Sequence, residues 1–176
     1  QTRNEGGYVQ VGDKFYLFGG GKERDNTSNV NVYDPVTRQW TVKGNAPFTM
    51  HHFQAVVYDD LIYIAGALMG SYPGQPPVPN IYIYNPLSDK WFVGPEIPRK
   101  RGSSASVLYN AKIYVVSGQT SGHAGGQVNW VDEFNPVTNT WRQLADIPNS
   151  RDHFHVTIVN GKMYALAGRK SDYLSP

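Results

Sequence analysis

YDPVTRQW (residues 33–40), YNPLSDKW (84–91) and FNPVTNTW (134–141) are three copies of one eight-residue phrase. Their tryptophans, Trp40, Trp91 and Trp141, recur after 51 and then 50 residues. Outward from each phrase a second landmark keeps the same step. KFYLFGG (14–20), LIYIAGA (61–67), KIYVVSG (112–118) and KMYALAG (162–168) place Tyr16, Tyr63, Tyr114 and Tyr164 in phase with the tryptophans. Self-similarity at a period of about 50 residues means one supersecondary unit repeated, readable from any copy.

Each copy lays out as four strands. The first covers residues 7–11, 54–58, 105–109 and 155–159 and closes in a tight turn, clearest at Asn160-Gly161, a dipeptide suited to a two-residue hairpin. The second carries the tyrosine and is apolar almost throughout in LIYIAG and KIYVVSG, as a strand covered on both faces must be. NVNVY and NIYIY, with β-branched or aromatic residues alternating with polar ones, form the third. Asp34-Pro35, Asn85-Pro86 and Asn135-Pro136 open the next turn, where the Asp or Asn side chain bonds backbone ahead of it and proline presets φ. The tryptophan lies on the fourth strand and is expected to be buried at an equivalent site in each copy. Four-stranded units repeated in this way are the blades of an all-β propeller, here about three and a half of them: residues 3–49, 50–100, 101–150 and an incomplete 151–176.

The repeats resemble the kelch family. The resemblance rests on the tyrosine and tryptophan ladders, the Y-[DN]-P turn and the glycine pair after the tyrosine. That pair is intact only as Gly19-Gly20 and reads Gly66-Ala67, Ser117-Gly118 and Ala167-Gly168 elsewhere. Kelch propellers usually close with six or seven blades. An open arc would leave two apolar blade faces in water, beyond the few hundred Å² that monomers expose, so a longer polypeptide or a second copy is expected to supply the rest. HHFQAV (51–56) and RDHFH (151–155) look most like bacterial extracellular kelch proteins, which implies a secreted or periplasmic setting.

Charge narrows the partners. Sixteen lysines and arginines against 14 acidic residues, with no basic run longer than Arg99-Lys100-Arg101, give no footprint for nucleic acid. No apolar stretch is long enough for a membrane-spanning helix. Without cysteine there is neither a disulfide nor a thiolate-ligated metal.

Chemistry concentrates just before the first strand. Thirteen residues ahead of each tyrosine stand Arg3, Met50, Arg101 and Arg151. The following columns are Asn4, His51, Gly102, Asp152; then Glu5, His52, Ser103, His153; and, two further on, Gly7, Gln54, Ala105, His155. The innermost strands of a propeller converge on one channel, so these residues should surround a common opening. The kelch resemblance implies that partners dock on this face, using also the third-strand positions Asn29, Asn80 and Trp130. Arg3, Glu5, Asn29, His52, Gln54, Asn80, Arg101, Ser103, Trp130, Arg151 and His153 are therefore the candidate ligand-binding residues. Arginine forks suit carboxylates and phosphates, and Trp130 offers a flat face to a sugar or cation. Imidazoles beside carboxylates at Glu5, His52, Asp152, His153 and His155 form a candidate divalent-metal set. No motif demands an organic cofactor. His123, in the glycine-rich stretch 117–127, reads as solvated, and the proline-stiffened loop 67–80 as the wall of a cleft.

Two functions compete. One is a non-catalytic recognition module for a protein or glycan. The other is a carbohydrate-active enzyme, mutarotase- or epimerase-like or metal-dependent, using histidine and carboxylate at the opening. Kelch-type copper-radical oxidases need a cysteine cross-linked to tyrosine, which this sequence lacks.

Overall fold

The computed structural model describes residues 3–22 and 25–170. Three four-stranded antiparallel sheets and a fourth hairpin succeed one another along the chain, each with neighbouring strands in sequence order. Blade I comprises Gly7–Val11, Lys14–Phe18, Asn29–Asp34 and Gln39–Asn45. Blade II comprises Val56–Tyr58, Leu61–Ile64, Asn80–Asn85 and Lys90–Glu96. Blade III comprises Ala105–Tyr109, Lys112–Val116, Val131–Asn135 and Thr140–Leu144, and blade IV shows His155–Val159 and Lys162–Leu166. The final stretch assigned to the fourth blade, 171–176, lies outside the described residues. No helix among the described residues is long and apolar enough to cross a membrane.

Local chemistry accounts for these elements. The first hairpins of blades II, III and IV close at Tyr58↔Leu61, Tyr109↔Lys112 and Val159↔Lys162. Their two central residues, Asp59-Asp60, Asn110-Ala111 and Asn160-Gly161, all have positive φ, the type I′ geometry whose twist matches that of the strands. In the outer turns Asp34 Oδ1 accepts from the Val36 and Thr37 amides at 2.9 and 3.3 Å, and Asn85 Oδ1 from those of Leu87 and Ser88 at 2.9 and 3.1 Å. Asn135 does the same for Val137 at 3.1 Å. Blade II's first strand is shorter than expected: it starts at Val56, and the Gln54 side chain instead bonds both backbone groups of Val156, at 3.0 Å each.

Burial shows why the second strands are apolar throughout. Ile62 and Ile64 face blade I, in a cluster with Tyr16, Phe18, Val30 and Val32, while Tyr63 and Ala65 face Ile113, Val115 and Phe134 of blade III. A third cluster joins Ala105, Val116 and Val131 of blade III to Phe154 and Val156 of blade IV. The core therefore lies between blades rather than within them, and each blade is held by its neighbours.

The tryptophans require a correction. Within each blade they are equivalent: Trp40 on Tyr33, Trp91 on Tyr84 and Trp141 on Phe134 have ring centroids at 5.1, 5.1 and 5.0 Å. Trp91 also meets Phe18 of the preceding blade edge-on at 5.7 Å, and Trp141 packs on the cluster between blades II and III. Trp40 has no preceding blade among the described residues and is 53% exposed. Tyr164 mirrors it on blade IV's far face, at 44%.

Candidate functional site

A repeated backbone device positions the site. The residue at the entrance to each blade, Asn4, His51, Gly102 or Asp152, forms a β-bridge to the residue 17 positions later, Gly21, Leu68, Gln119 or Arg169. The residue after it, Glu5, His52, Ser103 or His153, then turns left-handed with φ of 60, 56, 53 and 54°. For a non-glycine residue that conformation costs roughly 1–3 kcal/mol, and glycine would adopt it without strain. All four blades nevertheless keep a side chain there. The turn aims these side chains at one opening of 240 Å³, walled by Glu5, His52, Ser103, His153 and His155 and floored by Phe53 and Phe154. The expected convergence of the column is thus observed, across residues 148 positions apart in the case of Glu5 and His153.

Within the opening His52 Nε2 stands 2.7 Å from His153 Nε2 and 3.1 Å from Glu5 Oε1, and His153 Nε2 is 4.0 Å from the same oxygen. Behind His52, His51 is fully buried, with Nδ1 against His52 Nδ1 and Nε2 3.1 Å from the Gly70 carbonyl. Behind His153, Nδ1 meets the Asp152 carboxylate, which also accepts from Gln127 Nε2 at 2.8 Å and Arg169 Nε at 2.9 Å. Burial pushes the His51 pKa down to about 4, helped by its neighbour His52, and burial likewise lowers His52 against the opposing pull of Glu5. Burial works to raise Glu5 and Asp152, yet both end below the usual carboxylate range. The His52 hydrogen bond and charge hold Glu5 down, and bonds from His153, Gln127 and Arg169 hold Asp152 at about 2.

The arginine column has a different role from the expected one. Arg3, Arg101 and Arg151 each donate to the carbonyl 16 residues ahead, that of Gly19, Ser117 and Ala167, at 3.3, 2.8 and 2.6 Å. Those acceptors are the first slot of the glycine pair, left-handed in every blade, so the guanidinium braces the turn that leads out of the second strand. Arg3 adds a bond to Asn31. Arg101 is fully buried and also bonds Val115 O, Arg99 O and Asp132. No arginine of this column lines the opening, which removes the group that would have held an acidic sugar or peptide.

Other candidates also fall away from the opening. Asn29 shares a 420 Å³ cleft with Arg3, Asn31 and Trp40 on blade I's free face. Asn80 Nδ2 bonds Gly94 O across the bulge at the start of its strand. Trp130 is covered by Arg99 and Arg101, whose Cζ atoms lie 5.1 and 5.8 Å from its ring centroid. Of the proposed metal set, Asp152 points away and orients His153, and His155 lines the wall without joining the converging atoms.

His123 joins the cluster that the sequence assigned it away from. A 3₁₀ turn, Gly122–Ala124, carries it over the axis, and its ring centroid is 5.1 Å from those of both His52 and His153. Gly122 makes this approach feasible, since a Cβ there would sit 2.4 Å from the Gln75 carbonyl. The loop 67–80 does form a wall: Tyr72 and Gln75 line a second cavity of 130 Å³ with Glu5, His52 and His123.

Antiparallel blades with interblade cores, each turning one residue into a shared opening, define a repeat-built β-propeller. The chain belongs to the kelch-repeat family: residues 6–175 match the family model described as the KLHDC2/KLHL20/DRC7 Kelch-repeats domain. It is 31% identical over 131 residues to Kelch-like protein terF of Aspergillus terreus, covering 66% of this chain and 27% of that protein. It is 28% identical over 109 residues to Kelch-like protein 35 of Mus musculus, covering 62% and 17% respectively, so it spans about a sixth to a quarter of the length of these relatives. The solved structure of YjhT matches with a TM-score of 0.81 at 17% identity, over 94% of this chain and 59% of that one, a likeness of fold.

Proposed function

We propose that the opening is the centre of a non-catalytic recognition surface for a segment of another protein, and that this segment presents a hydrogen-bond donor or cationic side chain. The observation that carries this is the four-blade column of strained residues. Glu5, His52 and His153 bring acceptor atoms together, while the Ser103 hydroxyl is buried with no protein partner. Membership of the kelch family, whose members typically serve as protein-interaction modules, supports the assignment. With the column arginines bonded to carbonyls and side chains of their own blades and Arg169 paired with Asp152, the ligand chemistry is that of lysine, arginine or an amino group rather than of an acid. The same proposal covers the two open faces marked by Trp40 and Tyr164: further blades, from a longer chain or a second copy, complete the ring.

Selection of a phage-displayed peptide library on the protein, in chelator, tests this. Enriched peptides should share a lysine or arginine and lose at least tenfold in affinity against Glu5→Gln. Peptides that bind the Glu5→Gln variant unchanged, or enrichment of glycans but not peptides on parallel arrays, would reject the reading.

A further inference from the structure

We infer that Glu5, His52, His123 and His153 form a binding site for a divalent cation of the zinc type, independent of any protein partner. One ligand atom from each lies within 4.8 Å of the other three. Proton placement makes the case. The Gly70 carbonyl can only accept, so His51 carries its proton on Nε2, and its Nδ1 is a lone pair. The contact between His51 Nδ1 and His52 Nδ1 needs one proton, which is then the His52 one. In the neutral ring His52 Nε2 is then bare, so an ion can take the place of the proton that otherwise bridges Nε2 to Glu5 Oε1, 3.1 Å away. On the other side, the Asp152 carboxylate draws the His153 proton to Nδ1 and frees Nε2 to face the opening.

The two bare nitrogens are 2.7 Å apart and both stand within 4.0 Å of a Glu5 oxygen. Such a gathering of lone pairs calls for a positive centre. In a tetrahedral site with metal–ligand distances of about 2.0–2.1 Å, ligand atoms stand roughly 3.3 Å apart, and the observed 2.7, 3.1 and 4.0 Å bracket that spacing. Imidazole nitrogen with a single carboxylate oxygen selects zinc, cobalt or nickel over calcium and magnesium. The groups behind the ligands fit too, because Asp152 on His153 and His51 on His52 fix tautomer and ring direction as outer partners of metal-bound histidine do. Arg169 Nη2, 2.8 Å from His153 Nδ1 and 3.2 Å from Nε2, is the competing donor; with the Nδ1 proton given to Asp152 it turns to that carboxylate, which it already contacts at 2.8 Å and where it can remain when an ion arrives.

The ion and a cationic side chain compete for the same lone pairs, so metal is titrated into the protein alone whereas the peptide selection uses chelator. Each reading can then fail without the other. Cobalt(II) added to chelator-stripped protein should give visible d–d bands of tetrahedral intensity, and Zn²⁺ should displace it and raise the melting temperature. His123→Ala changes a residue on a loop outside the sheets, so it should leave the fold intact while lowering metal affinity at least tenfold. His155→Ala, on the same wall but outside the cluster, should leave affinity unchanged. Absent d–d bands with no melting shift in millimolar metal would overturn the site, as would binding that survives His123→Ala together with Glu5→Gln.

Discussion

Replacing Arg101 with methionine, the residue that blade II uses at the same place, separates a structural arginine from a ligand-binding one. The Arg101 guanidinium donates to Ser117 O, Arg99 O, Val115 O and Asp132 Oδ2 at 2.8, 2.7, 2.8 and 2.6 Å, and neither it nor Asp132 has exposed side-chain surface. Removing one partner of a buried ion pair costs about 3–5 kcal/mol, because a charge is left in a site built for two. Asp132 keeps Arg99, whose Nη2 stands at 3.0 Å, which places the expected loss near the lower end, about 3 kcal/mol. In blade II the position equivalent to Asp132 holds Tyr82 rather than a carboxylate. Arg101→Met combined with Asp132→Asn removes the stranded charge and should recover about 1 kcal/mol or more. Equilibrium urea unfolding, followed by tryptophan fluorescence, measures both. A loss below about 1 kcal/mol for Arg101→Met, or weakened peptide capture at unchanged stability, would refute the structural assignment.

Other outcomes follow from the packing between blades. Trp91→Ala, which empties a site shared with Phe18 and Tyr84, should cost about 3 kcal/mol, against less than about 1 kcal/mol for the half-exposed Trp40→Ala; equal losses in urea unfolding would mean the interblade core is misplaced. Gly19→Ala should cost about 2–4 kcal/mol, because a Cβ would lie 2.0 Å from Met50 O at a φ of 54°, whereas Ala167→Gly in the same slot of blade IV should not destabilise. Buried His51 stays neutral down to about pH 4 while the unfolded chain protonates it near 6.5, so the unfolded state binds more protons between those values and stability falls as pH drops from 6.5 towards 4. The full loss is about 3 kcal/mol, and His51→Gln should flatten the melting temperature across that window; an unchanged slope would show that other groups set it.

What was legible in the sequence is what recurs, since a repeat reports its own structure by comparison among copies. The tyrosine and tryptophan ladders gave the blades, and the Asp/Asn-Pro and Asn-Gly pairs gave the turns. The convergence of Glu5, His52, Ser103 and His153 followed from their shared column once the innermost strands were known to meet. A column misleads without the neighbour that gives it meaning. Trp40 has the residues of its counterparts but no preceding blade among the described residues to cover them. The arginine column reads as ligand chemistry because arginine forks suit carboxylates and phosphates, yet the third-strand position changes with it: Arg3 bonds Asn31, Arg101 bonds Asp132, and blade II, with Met50, has Tyr82 there. That correlated change was visible in the sequence and marks an intrablade bond.

His123 belongs to the opposite case, a residue with no counterpart in the other blades. Its position depends on a loop whose course no period dictates: Gly122, Gly125 and Gly126 all take positive φ, and Gly122 packs where no Cβ fits. Glycines spaced so closely read as mobility when only composition is considered, but each satisfies a backbone requirement that brings one imidazole over the axis. The repeats supply three blade-borne ligands at a fixed radius, and a single non-repeated loop supplies the fourth from above. A propeller can therefore acquire a metal site by changing one loop, and exchanging residues 120–126 for a histidine-free loop of equal length, with the bridged Gln119 and the Asp152 partner Gln127 kept, should abolish cobalt absorption while leaving the blade-core stability measured by urea nearly unchanged. Retention of the d–d bands in that exchange would show that the blades alone hold the ion.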